Sequence, residues 1–422
     1  MKAAPSRASA QAWRHTALAA AAALALLPTL AAADDNPAAA LADLGQALLR
    51  QAAAANAVVS PVATASALGM VQAGANGAAE TEIQSLFGPG RTGARALRST
   101  LPALMRQMQA PDSAGAASPL SLAARMWVDS AAAPAVPAAY AQRLSSRWQA
   151  DAQRVSFAQS EVTRVQINTW TAERTGGRIK DLLPAGSVSA ATQMALTSAV
   201  HFRSPWEKPF EPAQTTPRAF KTAAGASKDV PTMADERSVL QARVDGHLVM
   251  ELPFAPAGAT AGAAGRGAFA LLVAVPDEGT APAATAGFSG AQLARWRAAL
   301  QPLKCALSLP RFAIAPQSGS LKSALQGLGV KTVFTDVADL RPMLGRQARQ
   351  MHLDDLHHAA GITVDEEGGV AVAAAAATVR AKSLALPVPP CAVDRAFAFA
   401  LVHQASGTPV FVGRVGDPTL AE

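Results

Sequence analysis

Residues 365–378 read Asp-Glu-Glu-Gly-Gly-Val-Ala-Val-Ala-Ala-Ala-Ala-Ala-Thr. No charge and no proline occurs between Gly368 and Val379. Taken alone, the run suits an alanine helix or a disordered linker, because Ala is the strongest helix former. It suits a strand equally well. Gly369, Ala371, Ala373 and Ala375 share one face and carry nothing larger than a methyl group. Such a face enters a packed interior without prising it open. Val370 and Val372 fall on the other face, and nothing in the run forbids ladder pairing. What lies on either side decides between these states.

Downstream, Phe397–Val402 and Pro409–Val415 are apolar runs flanking Ser406-Gly407, which predicts a closing hairpin. Upstream, Leu307–Ile314 is strand-like and Ser320–Leu328 helical. The stretch from His352 to His358 tempts a metal reading, but its apolar partners favour a buried strand with one satisfied histidine. Strands are also expected over Ala195–Phe202, Leu248–Phe254 and Phe269–Pro276, with an Ala/Gly-rich loop at Ala255–Gly267. The first third is helical: 41–54, 62–73, 81–87 and 94–108, interrupted by a short strand that ends at Ser60-Pro61 and followed by a strand at Leu120–Asp129. Helices first and strands after, with no linker-like break or repeat, predict one α+β domain.

Composition narrows the function classes. Of 422 residues, 50% are hydrophobic and 16% charged, too apolar for a disordered chain. Lys2, Arg7 and Arg14 precede an apolar run from Ala17 to Leu27. Pro28 breaks that run, and small residues follow at Ala31–Ala33. This pattern predicts a secretory signal peptide over residues 1–33, a mature chain over 34–422, and a secreted or periplasmic location. Eleven apolar residues are too few to span a bilayer. Losing that leader lowers the formal charge from +7 to +4. Lys and Arg are scattered, so no nucleic-acid footprint is expected. No Gly-x-Ser-x-Gly elbow and no His-Glu-x-x-His occurs, so no catalytic residues, metal or cofactor are expected. Gly88-Pro89-Gly90-Arg91-Thr92-Gly93 matches a phosphate-loop spacing, but it follows a helical segment and Pro89 removes an amide.

Six blocks in order carry a family resemblance. They are Asn56–Pro61 with Gly74–Gly77; Ile167-Asn168-Thr169-Trp170 with Thr175–Ile179; and His201–Phe210 (His-Phe-Arg-Ser-Pro-Trp-Glu-Lys-Pro-Phe). Ala338-Asp339-Leu340, the acidic hinge quoted above and Phe411–Val415 complete the set. Over roughly residues 40–418 the chain resembles the serpins, as a secreted, bacterial-type member. The resemblance implies helices packed on a large central mixed sheet with two smaller sheets and an exposed reactive loop over about 366–388. It implies a monomeric, irreversible suicide-substrate inhibitor of a serine protease, not an enzyme. The alternative is a non-inhibitory serpin (carrier, storage or chaperone-like) that is only cleaved.

The hinge is then Glu366, Glu367, Gly368, Gly369, Val370, Ala371, Val372, Ala373, Ala374 and Ala375. The region that opens as the sheet expands is expected to hold Ser60, Asn168, Ser198, Trp206 and His358. Ser198 stands where the family usually has asparagine, and Gly369 where threonine is common. The forward count from Glu366 puts the reactive bond at Lys382-Ser383, with Arg380-Ala381 second, which suits a trypsin-like pocket with an acid at its base. Counting back from Phe397 points instead to Ala385 or Leu386. The resemblance also sets Cys305 and Cys391 on neighbouring strands of a small sheet; two buried free thiols are the plainer expectation, and a disulfide the alternative where the register brings the sulfurs into range.

Overall fold

The computed structural model describes residues 37–111, 118–132, 135–256, 265–280, 287–345, 351–369 and 388–420. Strands β1 to β5 are Ala57–Val59, Leu120–Asp129, Asp151–Val155, Met194–Phe202 and Ser204–Pro205. β6 to β10 are Thr216–Lys221, Ser227–Val244, His247–Pro253, Phe269–Pro276 and Gln301–Pro310. β11 to β16 are Phe312–Ser320, Asp355–Val364, Gly368–Gly369, Pro390–Ala392, Phe397–His403 and Thr408–Val415. The helices used below are α1 (Ala38–Gln51), α2 (Pro61–Gln72), α3 (Gly77–Ser85), α4 (Leu101–Met108), α5 (Ser160–Arg174) and α6 (Gly290–Ala299).

A mixed five-stranded sheet runs β11-β12-β4-β2-β3, with β12–β4 and β2–β3 parallel and the other pairs antiparallel. A second path of strands runs β1-β16-β15-β9-β8-β7-β10-β14, with β6 also on β7. The 18-residue β7 joins two smaller sheets, because it changes partners along its length. Its first part pairs with β6 and β10, and its last residues with β8. The expected α+β architecture is therefore present.

All twelve residues of α2 are buried. A helix apolar on every side belongs between layers, and α2 packs against β4 and β2 on one side and β16 on the other. Pro61 is pre-set for the first helical turn, and the Ser60 hydroxyl caps it by accepting from the Ala63 amide at 3.2 Å. α5 crosses the opposite face of the five-stranded sheet. There Trp170 packs over the small side chains Ala123, Ala199 and Ala359.

Two expectations change. The single strand over Leu307–Ile314 is two, β10 and β11, because the chain turns at Arg311 from one sheet into another. The apolar run looked continuous since both halves are buried. The expected helix at 94–108 is an α-turn at Arg91–Arg95, a π-turn at Ala96–Thr100 and then α4.

Asn56, at the head of the first resembling block, ties down the chain's far end. Its Nδ2 donates to the carbonyls of Asp417 (2.8 Å) and Leu420 (2.9 Å), and its Oδ1 accepts from the amides of Gly416 (2.9 Å) and Asp417 (3.0 Å). Asn56 is 1% exposed. Asn56→Ala leaves these groups without their partner and should cost about 2–4 kcal/mol. Urea unfolding checks this; an unchanged midpoint would mean that water replaces the amide at no cost.

Candidate insertion site at the hinge

β12 ends at Val364, and the chain turns within three residues. The Asp365 carboxylate closes that turn, with Oδ1 accepting from the amides of Glu367 (3.0 Å) and Gly368 (3.1 Å). The three carbonyls that follow are all held by the 206–210 segment. The Trp206 indole donates to Asp365 O, the Trp206 amide to Glu367 O and the Phe210 amide to Glu366 O, each at 2.8 Å. Trp206 is itself fixed by stacking on Phe254, with ring centroids 4.4 Å apart.

Glu366 is 5% exposed and needs a partner there. Arg311, from the bend between β10 and β11, supplies Nε at 2.6 Å and Nη2 at 2.5 Å, and the Thr215 hydroxyl adds a further hydrogen bond. Burial pushes the carboxyl up, but the bonds from Arg311 and Thr215 outweigh it and hold the group below its ordinary range. Arg311, Thr215 and Phe254 were not picked out by the sequence reading. The only local signal was a cation inside an apolar run.

Gly368 and Gly369 pair antiparallel with Pro205 and Ser204. Gly368 has φ +142°, and a Cβ there would sit 2.4 Å from the Ser204 carbonyl oxygen, so only glycine fits. Gly369 is different: a Cβ would meet the Phe202 ring at 3.4 Å, an ordinary contact. The hinge therefore has room for a methyl group at 369.

Below the hinge, β12 and β4 pair in parallel from Asp355↔Ala195 to Ala360↔Val200 and no further. Ile362 and Val364 pair only with β11, and Phe202 only with β2. The seam opens toward the hinge. Ser198 and His358 face each other within it, and the Ser60 amide donates to His358 Nε2 at 3.1 Å. The Ser60 hydroxyl reaches across to Val410 O at 2.7 Å. Ser198 Oγ and His358 Nδ1, both buried, have no hydrogen-bond partner among the described residues.

The structure thus brings Ser60, Ser198 and His358 together and sets Trp206 at the hinge. Asn168 bonds the Leu183 amide (2.8 Å) and carbonyl (3.0 Å), tying α5 to the chain that follows it. Val370–Ala375 and the bonds Arg380-Ala381 and Lys382-Ser383 lie outside the described residues, as does the leader. Cys305 and Cys391 form a disulfide with Cα atoms 5.8 Å apart. His352 has Nδ1 2.8 Å from Asp336 and Nε2 3.6 Å from Asp354.

Burial pushes His358 down to about 4. Between the unfolded value near 6.5 and that level, only the unfolded chain binds the proton. Stability is therefore full above this window and is lost as pH falls through it. The shift corresponds to about 3 kcal/mol for this fully buried ring. Burial also lowers His357 and, with Arg178 and Arg203 nearby, His201, so they act with the same sign. Urea unfolding should show a steeper loss between pH 7 and about pH 4.5 for the natural chain than for His358→Gln. Parallel profiles would remove His358 from this role.

A family model described as serpin (serine protease inhibitor) matches residues 38–418. Serpin-Z1C of Triticum aestivum is 29% identical over 390 residues, covering 88% of this chain and 92% of that protein. Serpin-Z2B of the same species is 29% identical over 383 residues, covering 87% and 91%. Among solved structures, Arabidopsis AtSerpin1 in its native stressed conformation has a TM-score of 0.75 at 21% identity, covering 91% of this chain and 97% of that one. Tengpin, a thermophilic serpin in the native state, has a TM-score of 0.77 at 21% identity, covering 90% and 93%. At these identities the structural likeness is one of fold, and the family model and the curated relatives carry the assignment: the chain belongs to the serpin family.

Proposed function

We propose that this protein is an irreversible suicide-substrate inhibitor of a serine protease. The supporting observation is the seam between β12 and β4. A strand that leaves β12 and turns back at Gly368 runs antiparallel to both β12 and β4. Entering the seam, it exchanges six parallel pairs for two antiparallel ladders, which are slightly more stable per residue. Gly369 and the alternate alanines that follow present a small face toward the core side of the sheet, where Leu196, Val200 and Phe202 point and α2 packs.

Protease attack would form an ester between the protease serine and the Lys382 carbonyl, releasing the Ser383 amine. The freed strand then enters the seam while that ester exists and carries the protease with it, so that deacylation fails. Lys382 suits a trypsin-like target, with Arg380-Ala381 as the second bond. Secretion or export to the periplasm fits both the leader and the Cys305–Cys391 disulfide, since such bonds persist in oxidising compartments. The protein acts as a monomer in this reading.

One gel tests it. Incubated with trypsin, chymotrypsin, elastase or subtilisin and boiled in detergent with a thiol reductant to open the Cys305–Cys391 bond, the protein should give a covalent complex with trypsin and a released fragment beginning at Ser383. Cleavage by every protease with no complex would make this a non-inhibitory serpin.

A further inference from the structure

β14 is a three-residue edge strand, and its first residue, Pro390, has no amide hydrogen to give. Beside its short parallel register with β10 (Ala306↔Pro390, Leu307↔Cys391, Ser308↔Ala392), flanking bonds run from the Ala306 amide to Pro389 O (3.0 Å) and from the Val393 amide to Ser308 O (2.9 Å). The chain is next anchored at Asp394, whose carbonyl accepts from the Lys221 amide at 2.8 Å. So little backbone pairing makes a weak hold. At its centre, Cys391 is 0% exposed and bonded to Cys305 on β10.

Both ends of the segment 370–387 leave from the same end of the five-stranded sheet. The hinge follows Val364. β14 lies on β10, whose Pro310 leads through Arg311 to Phe312, and Phe312 pairs with Val364. A strand entering the seam at the hinge and following β12 down to Asp355 travels about 33 Å at the usual strand rise. By the end of that run it has used the chain to about residue 379. The uncut chain must then return to Pro390 on residues 380–389, which reach at most about 34 Å when fully stretched. That equals the straight length of the seam and leaves nothing for the detour around the sheet. Peeling β14 from β10 supplies the missing length, up to the anchor at Asp394. A chain cut within the loop has no return leg and needs no such release.

We infer that the Cys305–Cys391 disulfide makes loop insertion conditional on cleavage, by denying the uncut chain the length it needs to enter the sheet. The inference rests on the inhibitor reading above. The bond joins the β14 side of the cut to the body and leaves the hinge side free, so it opposes spontaneous inactivation and leaves protease trapping alone.

The full-length natural protein, Cys305→Ser, Cys391→Ser and the double Cys305→Ala/Cys391→Ala variant are held warm and uncut without protease, then sampled for trypsin trapping and for thermal unfolding. Natural protein opened by dithiothreitol, whose two thiols give up two electrons and two protons to leave two cysteine thiols, and then alkylated, provides a route that needs no substitution. Fresh samples should all trap trypsin equally. On standing, those without the bond should lose trapping and gain a high-melting uncut form about tenfold faster or more than the disulfide-bonded protein, the effect of ~1.4 kcal/mol on a barrier. Equal rates with trapping intact at the start would overturn the inference and leave the inhibitor reading standing. Cleavage without trapping in every fresh sample would overturn both. Two free thiols on titration of the unfolded, unreduced protein would remove the bond itself.

Discussion

Ala371→Arg is expected to turn the protein from an inhibitor of trypsin into a substrate of it. Position 371 lies on the face shared with Gly369, Ala373 and Ala375, which must enter the sheet interior. A guanidinium there would be driven into the apolar core on the α2 side of the sheet, among Val200, Phe202 and Ile362. Burying an unpaired charge costs several kcal/mol in practice. The cost falls on insertion alone, because the uncut loop has not entered the seam and cleavage precedes entry. Cleavage should persist while the number of inhibitor molecules consumed per protease trapped rises about tenfold or more. Gly369→Arg should behave alike. Gly369→Ala is the control, because the Phe202 ring leaves room for its methyl group, and it should trap at least as well as the natural chain. Trapping by Ala371→Arg at the natural stoichiometry would place this face outside the sheet.

The second large effect is thermal. Protein cut at the reactive bond should unfold far above the intact form. Insertion over the length of the seam adds about ten ladder hydrogen bonds worth roughly 1 kcal/mol each, before any side-chain burial is counted. At about 2 °C per kcal/mol, the midpoint should rise by ~20 °C or more. The Glu366–Arg311 pair and the three carbonyls held by Trp206 and Phe210 fix where the inserting strand begins. Calorimetry of the two forms is sufficient. Equal midpoints would mean that the sheet is already complete, or that it does not admit the loop.

Much of this was legible in residue order, and the reasons are local. β2 and β9 begin and end where apolar alternation and Pro276 put them, and Ser60-Pro61 starts α2 because capping and proline geometry act within one turn. β7 escaped notice because its exposed positions carry Ser227, Lys228, Asp229, Glu236 and Ser238, a polar pattern natural to the outer face of a curved sheet. α6 was likewise missed, since only Gly290, Leu293 and Trp296 are buried along it. At the site, sequence spacing located the hinge itself, whose small residues follow from what a sheet interior accepts. It could not locate Arg311 or Phe254, which reach Glu366 and Trp206 only through sheet contacts between segments far apart in the chain. Asn168 was grouped with Ser60 and His358 by resemblance, and its bonds to the Leu183 backbone had no signal in the residue order.

The central claim is that the loop enters between β12 and β4 after attack, and one distance tests it. Run antiparallel from the hinge, an inserted strand brings residue 378, on the face opposite that of Ala371, next to Asp355, whose carboxylate bonds the exposed Ser320 hydroxyl. Spin labels on Thr378→Cys and Ser320→Cys, placed with the native disulfide intact, report that separation before and after reaction with trypsin. The account predicts a covalent complex in which the two labels lie within about 15 Å of each other, the reach of two neighbouring strands plus the labels. A covalent complex whose label separation matches that of the uncut protein would contradict it.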